Sequence, residues 1–499
     1  MMHRTRPGAL LGLLALAACG DIDSPLASSD ALSLVGLDAA AVTESDESGI
    51  VDGQFLVRFK GSAIPAGFEQ TVAAMGGEVI FTHAGVGIAA VSGLSDEAAT
   101  MLSAARDVAA VDADAFTLLE AAGDEALSAE ADVSSPTQPE LAFFYRRQWN
   151  MTAIGAQAAW AAGKLGSSSV KVGVLDTGID YLHPDLYGRV DLSLSRSFLS
   201  ASNDAQVQAL YPGAHPVADL NYHGTHVAST IASNGLVAAG VTSRVTLVGL
   251  KVCTPGSAAN GFRGSCPTSG TLSAILYAAD NGIPIINMSL GGAFNRRDAS
   301  AQGGFGPSFL ATINQVFNYA NRKGTMIVVS AGNSALDIDH DGNGYKAYCS
   351  ASAATCVSAT GPGAATLVSG QYVNIVNIDS LASYSNYGRS GIDVAAPGGF
   401  RAPVWAACSG FTIHTGLAGC RTRFYNPSTG AFSGSIVGLS GTSMSAPHAA
   451  GVAALLASAG ITGGQLEAAL AQTSDDLGQP GTDPAYGKGR VSAVNAAKR

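Results

Sequence analysis

The chain predicts an α/β protein: a mostly parallel central sheet, covered by helices on both faces and preceded by a small α+β domain. Three observations predict it. From residue 141 onward, short apolar strands (170–175, 246–252, 284–288 and 325–330) alternate with helical stretches (223–232, 268–281, 307–322 and 443–459). Strands that read as continuous apolar runs belong to sheets buried on both faces. Residues 55–112 follow another pattern, two helical stretches among four strands in the order βαββαβ, which suits a ferredoxin-like unit. Only 13% of the 499 residues are charged while 61 are glycine, a composition for a large core and tight loops.

Taken in order, residues 1–19 read as an export signal. His3, Arg4 and Arg6 make a basic start, and residues 9–18 form an apolar run too short to span a bilayer. The run ends in Leu16-Ala17-Ala18-Cys19, which resembles the lipobox of bacterial lipoproteins and implies lipidation of Cys19. A lipid would anchor the protein to a membrane surface without a spanning helix. An ordinary signal peptide cut near Ala15-Leu16-Ala17 is the other reading. Residues 20–53 are rich in Ser, Ala and Asp and lack periodicity, as a flexible tether would. Residues 54–119 form the small domain. In it, 55–59, 78–81, 86–91 and 108–112 are strand-like, and 68–75 and 96–106 helical. Residues 120–140, with Pro136 and Pro139 among Ala, Glu, Asp and Ser, make an exposed linker suited to cleavage. Residues 141–499 are the α/β domain.

Setting Cys19 aside, six cysteines remain, in sequence-near couples without metal-binding CxxC spacing. An exported protein oxidises such couples. Sequence alone leaves the connectivity open; the local pairs Cys253–Cys266, Cys349–Cys356 and Cys408–Cys420 are the expectation. The net charge of −11 and the lack of Lys/Arg runs argue against nucleic acid as a partner.

Three stretches carry chemistry: Val172-Gly-Val-Leu-Asp-Thr-Gly-Ile-Asp180, Asn221-Tyr-His-Gly-Thr-His-Val-Ala-Ser229 and Gly438-Leu-Ser-Gly-Thr-Ser-Met-Ser-Ala-Pro-His448. In the last, a tight loop turns into an apolar helix, so Ser443 sits near free N–H groups and a partial positive charge. Pro447 suits the first turn of that helix. Asp176 follows an apolar strand directly, where sites of parallel sheets lie. Together the three resemble the Asp, His and Ser boxes of the subtilisin-like serine proteases (subtilases), in that family's chain order. The resemblance implies that family's three-layer fold and a serine endopeptidase acting on polypeptides. Ser443 would be the nucleophile, His223 its base, and Asp176 the group that holds and charges the imidazole. Ser330-Ala-Gly-Asn333 resembles the family's Asn box, so the Asn333 side chain and the Ser443 backbone N–H would bind the oxyanion. Ser289, Leu290 and Gly291 would wall the cleft in which a substrate peptide adds as a strand. The small domain resembles the family's propeptide, an intramolecular inhibitor and folding aid.

Other residues carry blander readings. His226 lies three residues after His223, and no acidic third ligand follows, so a metal pair is set aside. His183, Asp185 and His448 read as structural. The chemistry requires no cofactor. Asp337-Ile-Asp-His-Asp-Gly has the front half of a calcium loop, with Asp337, Asp339 and Asp341 as ligands, but Tyr348 stands where Glu would close it. Structural calcium and a solvated acidic loop both remain open. A monomer is expected, exported to the outer membrane or cell surface or secreted. Two other readings compete. A catalytically silent surface binding protein would keep the fold without turnover. An α/β-hydrolase esterase needs G-x-S-x-G and a histidine last in the chain; Gly441-Thr-Ser-Met-Ser445 and His223 offer neither.

Overall fold

A computed structural model describes residues 48–119, 126–131, 137–291, 293–295, 306–340, 342, 344–346, 348–421, 424–426 and 431–499. The small domain comprises β1 (Ser48–Phe59), α1 (Phe68–Ala74), β2 (Glu78–His83), β3 (Ile88–Ser92), α2 (Asp96–Ser103) and β4 (Val108–Leu118). Its antiparallel strands run in the order β2-β3-β1-β4. Ser95 caps α2 by accepting from the Ala98 N–H at 3.2 Å. One face of the sheet buries Val57, Phe59 and Val91 against Val72 and Leu102 of the helices. The tether expected to reach residue 53 is shorter. Ser48, Gly49 and Ile50 already pair with Thr117, Phe116 and Ala115, because a sheet edge satisfies backbone groups that a tether would leave to water.

The linker expected at 120–140 is likewise not all linker. Ala126–Ala131 forms β5. It pairs antiparallel with β16 (Ala431–Leu439), which also pairs with β15 (Val404–Ala407). The intervening elements are β6 (Lys171–Asp176), β7 (Arg196–Ser197), α3 (His223–Ile231), β8 (Thr246–Lys251), β9 (Ser265–Pro267), α4 (Thr268–Asp280), β10 (Ile285–Met288), α5 (Pro307–Arg322), β11 (Met326–Ser330), β12 (Ala354–Gly361), β13 (Ser380–Leu381) and β14 (Val394–Pro397). The serine helix, α6, spans Thr442–Ser458. The central sheet runs β13-β12-β11-β10-β6-β8-β7, with β14 also beside β12. Only the β12–β13 pair is antiparallel among its described pairings.

Period-two alternation sorts the strands' side chains into two cores. Val172, Val174, Leu247, Ile285 and Val328 pack with Val227 and Ile231 of α3 and Met444, Val452 and Leu456 of α6. Leu175, Val248, Leu250, Ile286 and Val329 pack with Leu272 and Ile275 of α4 and Ile313 and Phe317 of α5. Both faces are dry, which is why these strands lack polar alternation. The second core continues into the small domain through Leu56, Ile88, Ala90 and Ala115. β4 then adds antiparallel to β9, Thr117 opposite Cys266. The buried Asp114 accepts from the Ser269 N–H at 3.0 Å, and Asp112 accepts from the Ser308 hydroxyl. Both carboxylates thus sit in the first turns of α4 and α5, where the helix dipole favours them.

Among the described residues no helix is long and apolar enough to cross a membrane. The expected export signal, with Cys19, lies outside the described residues. All three local disulfides, Cys253–Cys266, Cys349–Cys356 and Cys408–Cys420, are present.

Candidate active site

Asp176 is the last residue of β6 and His223 the first of α3. Their side chains meet, His223 Nδ1 lying 2.8 Å from Asp176 Oδ1, with the carboxylate wholly buried. An ionised carboxylate accepts only, so Nδ1 carries the proton and Nε2 is the nitrogen left for proton exchange. Asp176 Oδ1 also accepts from the Thr177 N–H at 2.7 Å.

A second buried carboxylate braces this pair. Asp219 Oδ1 accepts from Thr177 Oγ1 at 2.8 Å and Asn221 N at 3.0 Å. Its Oδ2 accepts from Thr225 N at 2.9 Å and Thr225 Oγ1 at 2.6 Å. Thr177 Oγ1 in turn accepts from Gly224 N at 3.0 Å. The end of the Asp176 strand and the start of the His223 helix are therefore tied through one carboxylate. Burial pushes the Asp219 carboxyl up. It also pushes the Lys251 ammonium down, which donates to Ala218 O at 2.9 Å. Close approach makes Gly224 obligatory: a Cβ there would sit 2.2 Å from the Gly178 carbonyl oxygen.

Ser443 is the second residue of α6 and half-buried. Its hydroxyl donates to the Ser289 carbonyl at 3.2 Å, and Ser289 Oγ donates back to the Ser443 carbonyl at 2.7 Å. The second bond has a specific origin. Pro447 does not lie in the first turn as the sequence predicts; it lies deeper inside α6. Proline has no N–H for the carbonyl four residues before it. That carbonyl is Ser443's, and Ser289 supplies the missing donor. A helix interior tolerates proline here because a neighbouring strand end replaces the lost bond.

Asn333 follows β11. Its Oδ1 accepts from Thr442 N and from Thr442 Oγ1, both at 2.8 Å, and Thr442 Oγ1 accepts from Gly332 N at 3.0 Å. With the oxygen held, the amide turns its NH2 away from Thr442. Ser289 and Leu290 are buried and Gly291 half-buried at the end of β10.

His226, His448 and His183 are structural. His226 Nε2 bonds the Val404 carbonyl at 3.0 Å, and burial pushes its pKa down to about 3. His448 donates from Nδ1 to the Met444 carbonyl and receives Asn150 Nδ2 on Nε2, each at 2.8 Å; burial lowers it to about 4. Both stay neutral. His183 bonds the Ser435 carbonyl at 3.0 Å. Asp185 accepts three backbone N–H groups, from Leu236, Val237 and Ala238.

The acidic loop is engaged internally. Asp337 pairs with His340 Nδ1 at 2.9 Å. Asp339 accepts from Arg389 N at 2.6 Å, Ser390 N at 3.0 Å and Ser390 Oγ at 2.5 Å. Asp341 lies outside the described residues. Among the described residues no group of three or more His, Cys, Asp or Glu side chains converges to hold a metal.

Sequence reading missed Asp219, Thr177 and Thr442. Asp219 carried a usable signal, a lone carboxylate four residues before His223 in a stretch otherwise poor in charge. Thr442 carried none, since a hydroxyl beside a serine nucleophile looks like any turn residue.

Comparison with known proteins bears on the whole arrangement. A family model described as the Subtilase family matches residues 167–489. The chain is 32% identical over 340 residues to Thermophilic serine proteinase of Bacillus sp. strain AK1, covering 68% of this chain and 64% of that protein's length. It is 30% identical over 363 residues to Thermitase of Thermoactinomyces vulgaris, covering 72% of this chain and 99% of that one. Among solved structures it is similar to the epidermin leader peptide processing serine protease of Staphylococcus aureus, with a TM-score of 0.62 over 89% of this chain and 97% of that one. At 18% identity that likeness speaks for the fold alone.

Proposed function

The chain belongs to the subtilase family of serine-type endopeptidases, and on that premise we propose that it hydrolyses peptide bonds through an acyl-enzyme on Ser443 and is made as a self-inhibited precursor. The observation that carries this is the Asp176–His223 hydrogen bond at the carboxyl end of the sheet, with Ser443 borne on α6, a helix that shares a core with the His223 helix α3. Ser443 Oγ leaves the Ser289 carbonyl and attacks the substrate carbonyl carbon, passing its proton to His223 Nε2. Asp176 stabilises the imidazolium. The Asn333 NH2 and the Ser443 N–H receive the negative oxygen as it forms. His223 then gives its proton to the leaving amine, and water releases the acyl group by the same steps reversed. The triad mechanism is carried over from a relative that is the general template.

The precursor reading rests on the small domain's position. β4 runs along the cleft rim as an added strand on β9. The residue that follows it, Leu119, is buried, and its N–H donates to the Gly264 carbonyl at 2.7 Å. A peptide laid there blocks the site to others. Release by cleavage beyond Leu119, within residues 120–140, follows. Export through residues 1–19, with a lipid on Cys19, completes the proposed life history; polypeptides and the chain's own propeptide are its partners, and it acts as a monomer.

Calcium enters only as a proposed stabiliser. It would have to displace the bonds that Asp337 and Asp339 now make. Added calcium should raise the melting temperature of wild type but not of Asp339→Asn; no rise in either removes calcium from the account.

The deciding experiment is mass spectrometry of purified wild type beside Ser443→Ala. Wild type should lose its N-terminal domain while the mutant stays full length. If both stay intact, trace trypsin followed by fluorophosphonate labelling separates an enzyme activated by another protease from a silent binding protein, which Ser443 would leave unlabelled.

A further inference from the structure

The rim strand β9 ends a loop that no step above uses. Residues 254–265 are closed off by the Cys253–Cys266 disulfide, with a sequence separation of 13. Inside the loop, Thr254 N donates to Ser265 O at 2.9 Å, and Ser265 N donates to Thr254 Oγ1 at 3.0 Å. Asn221, two residues before His223, donates through Nδ2 to Pro255 O at 2.8 Å and Phe262 O at 2.9 Å. The loop is thereby tied to the catalytic helix. Phe262 adopts a φ of 61°, a left-handed conformation that costs a bulky residue energy unless its surroundings hold it. The next side chain, Arg263, reaches the residue that follows β4, Leu119.

Arg263 is 9% exposed. Its Nε donates to the main-chain carbonyl of Leu119 at 3.2 Å. The Leu119 N–H goes to the Gly264 carbonyl at 2.7 Å. Consecutive loop residues therefore hold both main-chain groups of one peptide residue, and one of the two bonds is charge-assisted. The leucine side chain is buried as well. Where a Cβ on Gly264 would sit, Leu119 Cδ1 is 3.2 Å away and Thr177 Cγ2 3.3 Å. The leucine side chain thus packs beside Gly264, near the methyl of Thr177, the residue that follows Asp176.

We propose that Arg263 is a substrate-binding residue of this protease, its guanidinium capturing the main-chain carbonyl of the substrate residue that takes the place of Leu119, with a leucine-sized apolar side chain selected there. The inference rests on the reading of the cleft given above, with the chain's own tail standing in for substrate. Catalysis needs neither this contact nor an arginine, so the role is selection and grip: the disulfide and Asn221 hold the guanidinium at a fixed distance from the triad.

The test uses matured enzyme and two product-type peptides, acetyl-Phe-Thr-Leu-Leu acid and its C-terminal amide, as competitive inhibitors of a fluorogenic peptide substrate. The acid places a carboxylate against the guanidinium, so wild type should bind it about tenfold tighter than the amide. Arg263→Gln should erase that preference, Arg263→Lys should keep part of it, and replacing the last leucine by lysine should weaken both peptides. Equal inhibition by acid and amide in wild type, or an undiminished acid preference in Arg263→Gln, overturns the proposal while fluorophosphonate labelling of Ser443 remains. Loss of labelling in the wild type instead overturns the protease reading on which it stands.

Discussion

A carboxamide is nearly symmetric in shape but not in chemistry, and Asn333 would serve an oxyanion only one way round. Thr442 decides which way, since its N–H and hydroxyl both occupy the amide oxygen. Asn333→Ala should therefore lower kcat about 100- to 1000-fold, roughly 3–4 kcal/mol, with KM little changed. That magnitude comes from a subtilisin, a relative of this chain, and is carried over. Active-site titration followed by steady-state kinetics checks it; an equal loss spread into KM would mean that Asn333 mainly binds substrate. The same separation of roles applies to histidine. His223 bonds a carboxylate, whereas His226 and His448 bond backbone carbonyls in dry surroundings. Residue type alone cannot distinguish them; the partner does.

Strand β4 shows how an element joins two domains at a calculable cost. It presents Asp112 and Asp114 to the first turns of α5 and α4. The helix dipole and the Ser269 N–H favour the charged form, but desolvation outweighs them and pushes Asp114 up to about 6. The group binds its proton more tightly folded than unfolded. Its contribution is fully favourable below the ordinary carboxyl range near 3.8 and is lost as pH rises through about 6. A shift of that size is worth on the order of 2–3 kcal/mol. Full-length Ser443→Ala protein should thus hold its N-terminal domain more firmly at pH 5 than at pH 7.5, and Asp114→Asn should flatten that dependence. Limited proteolysis across this range would read it; a domain held equally well at both pH values, with Asp114 present, counts against the assignment.

For the molecule as a whole, two cores on opposite faces of one sheet make the site a junction. α3 and α6 bring His223 and Ser443 from one face. The small domain packs over the other face, on α4 and α5, and meets the loop before α4 through β4 and Leu119. The two domains thus share a core, and under the proposed precursor reading cleavage of their connection would release the small domain from the candidate catalytic one. The acid limb of the activity profile should then report a single proton. His226 and His448, held down to about 3 and about 4, do not titrate between pH 5 and 8. A plot of log kcat/KM against pH with a limiting slope near one agrees; a slope near two would bring in a second base.

The elements that build the catalytic sheet were legible because burial on both faces leaves an unmixed apolar run, and α3, α4, α5 and α6 fall within a residue or so of their expected ends. The three chemical boxes were legible through their resemblance to the subtilase motifs, and each sits where a strand or helix terminates. β12 and β14 escaped notice: Ala354–Gly361 and Val394–Pro397 are made largely of small residues, and only neighbours that pack closely turn such runs into strands. β5 escaped for a similar reason, its pairing with β16 depending on a partner some 300 residues away. Local periodicity therefore specifies the sheet and its helices, and the family resemblance supplies the candidate reacting groups. Orientation is another matter. Which end of Asn333 points outward, which carboxylate braces Asp176, what replaces the bond that Pro447 cannot make, and where Arg263 reaches are all set by groups distant in the chain. Hydrogen bonds and desolvation act through space, and folding alone brings those partners together.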